Sequence, residues 1–262
     1  FPTRRSSDLQ TIVQLLRHRF QSTGLAAILL ITGIAFLVVA AGAQLSTAAK
    51  LFAALFGGRY TIGLFISAAA MFLYTASGGI KSLARVSVLQ GIVMVIAVIV
   101  IAVSEYRTVA AQYGSLEAAM HMAAVSENLS GLVKASSWTP LYAFGTALCA
   151  SWGTSGMPAQ LQTGMYYNST KVMKKAALQS TLIMVFCHFC MSGGGPLITL
   201  INPNLTVKDY GIIYIASTFL PSWMAGIVVS GIFAAIQSSV AAYMIMIGGY
   251  FCNDFYKGII NP

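Results

Sequence analysis

Charge is scarce in this chain. Asp, Glu, Lys and Arg make up 8% of its 262 residues, where a soluble domain carries about 25%. Only six carboxylates occur, at Asp8, Glu105, Glu117, Glu127, Asp209 and Asp254, and no two lie close in sequence. An enzyme needs grouped titratable residues to act as acid, base or metal ligand. No phosphate-binding glycine loop, HExxH or paired-carboxylate motif offers such a group. The reading is a non-enzyme with no cofactor. Cysteine is equally sparse: Cys149, Cys187, Cys190 and Cys252 all lie in or beside apolar segments, where free cysteine behaves as a small buried hydrophobe. A disulfide scaffold is excluded. The basic excess, a net charge of +9, stands singly or in small groups between long apolar runs, so it forms no face for nucleic acid.

What fills the chain is apolar. Hydrophobic residues are 57%, and with 24 glycines they reach about two thirds of the chain, against about 45–50% in a soluble domain. The fold class is all-α, a polytopic membrane protein. A helix crosses the hydrocarbon core in roughly 20 apolar residues, and six stretches qualify: Gly24 to Ser46, Thr61 to Ile80, Val86 to Ser104, Pro140 to Thr163, Ala177 to Ile201 and Pro221 to Tyr250. With a cytoplasmic N-terminus the inner loops collect Arg17, Arg19, Lys81, Arg85, Lys171, Lys174, Lys175 and Lys257, and the outer ones Lys50, Arg59, Arg107, Lys134 and Lys208. The excess on the inner side predicts that both ends of the segment are cytoplasmic. Glu105 to Thr139 reads as the one long loop, with a short amphipathic helix over Ser115 to Ala124. Residues 1–10 are polar and basic and read as a tail, or as sequence foreign to the protein. Residues 11–262 read as one membrane domain, a fragment incomplete at both ends.

Two stretches carry candidate chemistry. Ala150-Ser151-Trp152-Gly153-Thr154-Ser155-Gly156-Met157-Pro158 places two glycines and a proline inside an apolar run. Pro158 cannot donate to the helix ladder and disfavours helical geometry at Met157, so the helix breaks or kinks. Broken helices at membrane depth line ligand sites in transporters; a proline kink at a packing contact explains the stretch equally well. In the last span, Ser238 and Ser239 follow Ala235 by one turn. Two hydroxyls and a carbonyl are hard oxygen ligands suited to an alkali cation, while Ser230, Ala234 and Ser238, spaced by four, also describe a small-residue packing face. His188 fits a neutral, hydrogen-bonded histidine of the bundle. Gly193-Gly194-Gly195-Pro196 fits a close contact or a bend. Gln44 and Gln237 suit interhelical hydrogen bonding as well as solute contact.

Leu73-Tyr74-Thr75-Ala76-Ser77-Gly78-Gly79-Ile80 with Leu89-Gln90-Gly91, the Trp152-Gly153, Gly156 and Pro158 group, and the run from Gly226 through Ser238-Ser239 to Asp254-Phe255-Tyr256-Lys257 together resemble the sodium:solute symporter family. Within it the pantothenate and proline branches are the most similar, the former also through Gln44, His188 and Asn204-Leu205-Thr206-Val207. The resemblance implies the third to eighth core helices of a leucine-transporter-like inverted-repeat fold, in which residues 11–262 form a transport domain. It implies sodium-coupled symport, by alternating access, of a small organic solute: a carboxylate such as pantothenate, a monocarboxylate or an amino acid. It also implies sodium ligands at Ala235, Ser238 and Ser239, a substrate-facing set of Trp152, Gly153, Gly156, Pro158 and Gln44, no metal other than sodium, and a place in the cell membrane. Two positions depart from the family pattern: Ser87 stands where an Asp is usual, and Thr163 where many members have an Arg. A membrane sensor or channel-like component built on the same helices is the alternative.

Overall fold

The computed structural model describes residues 11–126, 129–132, 139–155, 157–165, 167 and 169–260, so the expected tail at residues 1–10 lies outside it. The described residues are helical with no strand. In order they form α1 (Ile12–Phe20), α2 (Thr23–Phe56), α3 (Tyr60–Tyr113), α4 (Leu116–Val125), α5 (Pro140–Ser155), α6 (Pro158–Met165), α7 (Thr170–Ser192), α8 (Gly194–Ile201), α9 (Gly211–Phe219) and α10 (Ser222–Gly249). Short 3₁₀ turns precede α5 and α9, and a wide π-helix, Tyr250–Ile260, continues α10.

The boundaries follow local chemistry. Thr11, Ser22, Ser115 and Ser169 each accept a backbone N–H three residues on, satisfying one of the orphan donors of a helix start. Pro140 and Pro158 open α5 and α6, where a missing N–H costs nothing. Gly57, at φ 61°, ends α2, a left-handed conformation that glycine adopts without a Cβ clash.

Among the described residues four helical stretches are long and apolar enough to cross a membrane: Thr23–Phe56, Ala84–Tyr113, Thr170–Ile201 and Ser222–Gly258. Six were expected, and the described parts of the other two, Tyr60–Ala76 and Pro140–Ala150, are shorter apolar helices. The stretches Thr61 to Ile80 and Val86 to Ser104 are not separated by a turn but run together in α3, 54 residues long. Lys81 and Arg85 favour helix, and Gly78-Gly79 weakens it by only about 1 kcal/mol per residue, whereas a proline would cost about 3. α3 also continues through Glu105, so the long outer segment starts at Gly114. The fourth expected span is divided, as the Pro158 signal implied, into α5 and α6. The amphipathic helix of the outer segment forms as α4 and buries Ala119 and Ala123.

α10 packs along α3, and α2 lies against both. Glycine sets the closeness of the first contact: a Cβ built on Gly231 would run into the Ala97 Cβ. Three apolar clusters follow α10. One joins Ile101 and Val109 of α3 to Leu200, Ile215 and Val228; a second holds Leu30, Leu37 and Tyr250; between them Ile236 and Val240 meet Ala48 and Met71.

Candidate ion and solute site

The serine pair lies midway along α10. Ser238 Oγ and Ser239 Oγ both donate to the Ala235 carbonyl oxygen, each at 3.0 Å. At 100° per residue, positions i, i+3 and i+4 share one face of a helix, so the three oxygens of Ala235, Ser238 and Ser239 lie together on that face. All three residues are half-buried. This arrangement suits a hard cation: each hydroxyl keeps lone pairs free while it donates, and a turn of the hydroxyls away from the carbonyl frees its lone pairs as well. The packing-face reading also finds support, since Ala234 is buried, but Ser230 is exposed.

Gln237, between the two, serves the helix contact. Gln90 Nε2 donates to Gln237 Oε1 at 3.1 Å, joining α3 to α10. Gln90 is buried and its Oε1 has no hydrogen-bond partner among the described residues. Sequence reasoning named Gln90 within a motif without giving it this role. Its signal was an amide in an apolar run, opposite a second amide on another such run.

Of the expected solute-facing residues the structure describes less. The helix stops at Ser155 and restarts at Pro158, as Pro158 predicts. Gly156 lies outside the described residues, and of Trp152 and Pro158 only the backbone is described. Gly153 is exposed. α6, beyond the break, touches α10 and α1 and buries Gln162, which the sequence reading did not single out. Gln44 is half-buried on α2. Ser87 is half-buried on α3, and the side chain of Thr163 is not described. No group of three or more His, Cys, Asp or Glu that could hold a transition metal occurs among the described residues. His188 sits exposed on α7, its Nδ1 2.8 Å from the Met184 carbonyl of the same helix. Gly193, with right-handed helical backbone, joins α7 to α8.

The model of the sodium:solute symporter family matches residues 2–262. The chain belongs to this family. Among curated relatives of the family, it is 32% identical over 240 residues to the sodium/proline symporter of Haemophilus influenzae, covering 87% of this chain and 46% of that protein. It is 26% identical over 258 residues to the sodium/pantothenate symporter of Escherichia coli, covering 97% and 52%, and 24% identical over 258 residues to the sodium/pantothenate symporter of Haemophilus influenzae, covering 96% and 52%. The chain spans about half the length of the curated relatives it matches. No solved structure matches it significantly. Family membership and the four span-length helices together make this a multi-pass membrane protein.

Proposed function

We propose that the chain is part of a sodium-coupled symporter that carries a small organic solute by alternating access, the solute being a carboxylate such as pantothenate, a monocarboxylate or an amino acid such as proline. The observation that carries this reading is the convergence of the Ser238 and Ser239 hydroxyls on the Ala235 carbonyl, in a chain whose relatives are named sodium symporters. A sodium ion at these oxygens takes them as half of its shell, with the remaining ligands coming from an element that faces this turn. Trp152, Gly153, Gly156, Pro158 and Gln44 form the solute side in this reading. The break at Ser155–Pro158 supports it by freeing backbone N–H and C=O groups from the helix ladder. A leucine-transporter-like arrangement with both ends of the segment cytoplasmic completes the proposal.

Coupling is a difference in ligand affinity between conformations and is reciprocal. Sodium at Ala235, Ser238 and Ser239 therefore tightens solute binding, and solute tightens sodium. The test uses the full-length reading frame in vesicles, with uptake of proline, pantothenate and short monocarboxylates measured with and without an inward sodium gradient. One cargo accumulates only with the gradient. Ser239→Ala raises the sodium concentration needed for half-maximal uptake and weakens apparent solute affinity together. Unchanged uptake and sodium dependence in that variant overturns the site. Absence of accumulation of any cargo in vesicles holding folded protein favours a sensor or channel.

A further inference from the structure

Among the described residues Glu105 is the most deeply buried carboxylate, and the proposed function leaves it unused. It is 1% exposed, on a helix whose apolar stretch is of membrane-crossing length. Its Oε1 has no hydrogen-bond partner, and it makes no ion pair among the described residues. The neighbouring cluster is apolar, built from Ile101, Val109, Leu200 and Ile215. An ionised carboxylate in such a place loses several kcal/mol of hydration with nothing to replace it. An ionisable group inside a membrane is a functional residue by default.

Two further features surround it. A Cβ added at Gly194 would stand 3.5 Å from both Glu105 oxygens, so the backbone at the start of α8 covers the carboxyl directly. α8 is joined to α7 through Gly193, a residue that resists bending less than any other. Ser104 and Thr108, one turn apart on α3, are also buried at 8% and 9% exposure. At helical spacing they lie together on one side of Glu105, and neither hydroxyl makes a hydrogen bond among the described residues.

We infer that Glu105 is a proton-binding site at the α3–α8 contact, holding its proton while α8 is docked over it and releasing it when α8 swings about Gly193 and admits water. In the open form Ser104 and Thr108 supply hydroxyl donors to the carboxylate. The other ionisable groups on the packed elements do not replace the proton. Tyr113 of α3 donates its hydroxyl to the Leu200 carbonyl at 2.9 Å. Tyr214 of α9 packs edge-on against Phe219. Arg107 of α3, Glu117 and His121 of α4, and His188 of α7 are exposed, and Cys187 and Cys190 of α7 are half-buried thiols. α10, through Val228, brings an apolar face to the same cluster. Lys50 of α2 is paired with Asp209.

The test reads the proton directly, on the full-length protein in vesicles and without transport. At pH 7 infrared spectroscopy shows a protonated-carboxyl C=O band that shifts in D₂O. The band is absent in Glu105→Gln and displaced, not lost, in Glu105→Asp. Docking is read by maleimide labelling of Leu200→Cys in a background lacking the native cysteines, as the ratio of its rate with Glu105 to its rate with Gln at the same position, which cancels the pH dependence of the thiol. That ratio rises about tenfold for each pH unit over which one linked proton is released. An infrared spectrum unchanged by Glu105→Gln, or a labelling ratio that stays flat from pH 5 to 9, overturns the inference. Both readouts are independent of the sodium and solute assignment.

Discussion

Gln90 and Gln237 hold α3 and α10 together through one amide hydrogen bond of 3.1 Å, one residue before the serine pair proposed to bind sodium. Removing either partner strands a buried amide, whereas removing both leaves apolar surfaces facing each other. Gln90→Leu alone is expected to lower stability by about 1 kcal/mol, within the range of interhelical hydrogen bonds in membranes. The Gln90→Leu, Gln237→Leu double variant is expected to lose less than the sum of the singles. A double-mutant cycle by reversible unfolding in mixed micelles gives the coupling; strict additivity refutes a direct pair.

Gly231 admits no side chain where α10 crosses α3. A Cβ there would run into the Ala97 Cβ and lie 3.5 Å from the Val93 carbonyl oxygen, so the helices must part. Gly231→Ala is expected to destabilise by about 1–3 kcal/mol, the usual cost of overpacking, even though alanine favours helix over glycine by about 1 kcal/mol. Thermal unfolding measures the loss. Ala97→Gly should recover part of it in the double variant.

Thr11 does two things at once. Its hydroxyl accepts the Gln14 N–H as the cap of α1 and donates to Asp254 Oδ1 at 2.8 Å, tying the start of the described chain to the π-helix after α10. Asp254 is buried, and its Oδ2 has no hydrogen-bond partner among the described residues. Thr11→Ala is expected to cost about 1–2 kcal/mol, roughly 1 for the cap and up to about 1 for the hydrogen bond lost from the buried carboxylate. Thr11→Ser, which keeps the hydroxyl, is expected to cost under about 1. Limited proteolysis after Arg17 and Arg19 should quicken in the first variant only.

α3 carries two apolar halves in one helix about 80 Å long at 1.5 Å per residue, and the hydrocarbon core is about 30 Å thick. While α3 is straight, only one half lies within that core, and Ile62, Phe65, Phe72 and Leu73, all exposed, stay outside it. Lys81 and Arg85 between the halves belong at an interface. In vesicles a sharp bend at Gly78-Gly79 is expected, placing the halves side by side. Spin labels at Phe65→Cys and Ile99→Cys should lie within about 25 Å, against about 50 Å along a straight helix. The longer distance in vesicles rules the bend out.

Much of the protein was legible in its residues because the signals are local. Scarce charge and long apolar runs declare a membrane protein. Ser115 announces the short helix it caps, and Pro158 the break it opens. The spacing of Ala235, Ser238 and Ser239 brings their oxygens together through helical geometry alone. Tertiary contacts decided the rest. That Gln90 meets Gln237, that Gly231 lies on Ala97, and that Thr11 reaches Asp254 across 243 positions depend on how helices far apart in sequence pack, which no local pattern encodes. Glu105 is the sharpest case. By sequence it is an acid at the mouth of an outer loop; in the structure it is sealed beneath Gly194, because α3 runs on past it and α8 folds back over the same face.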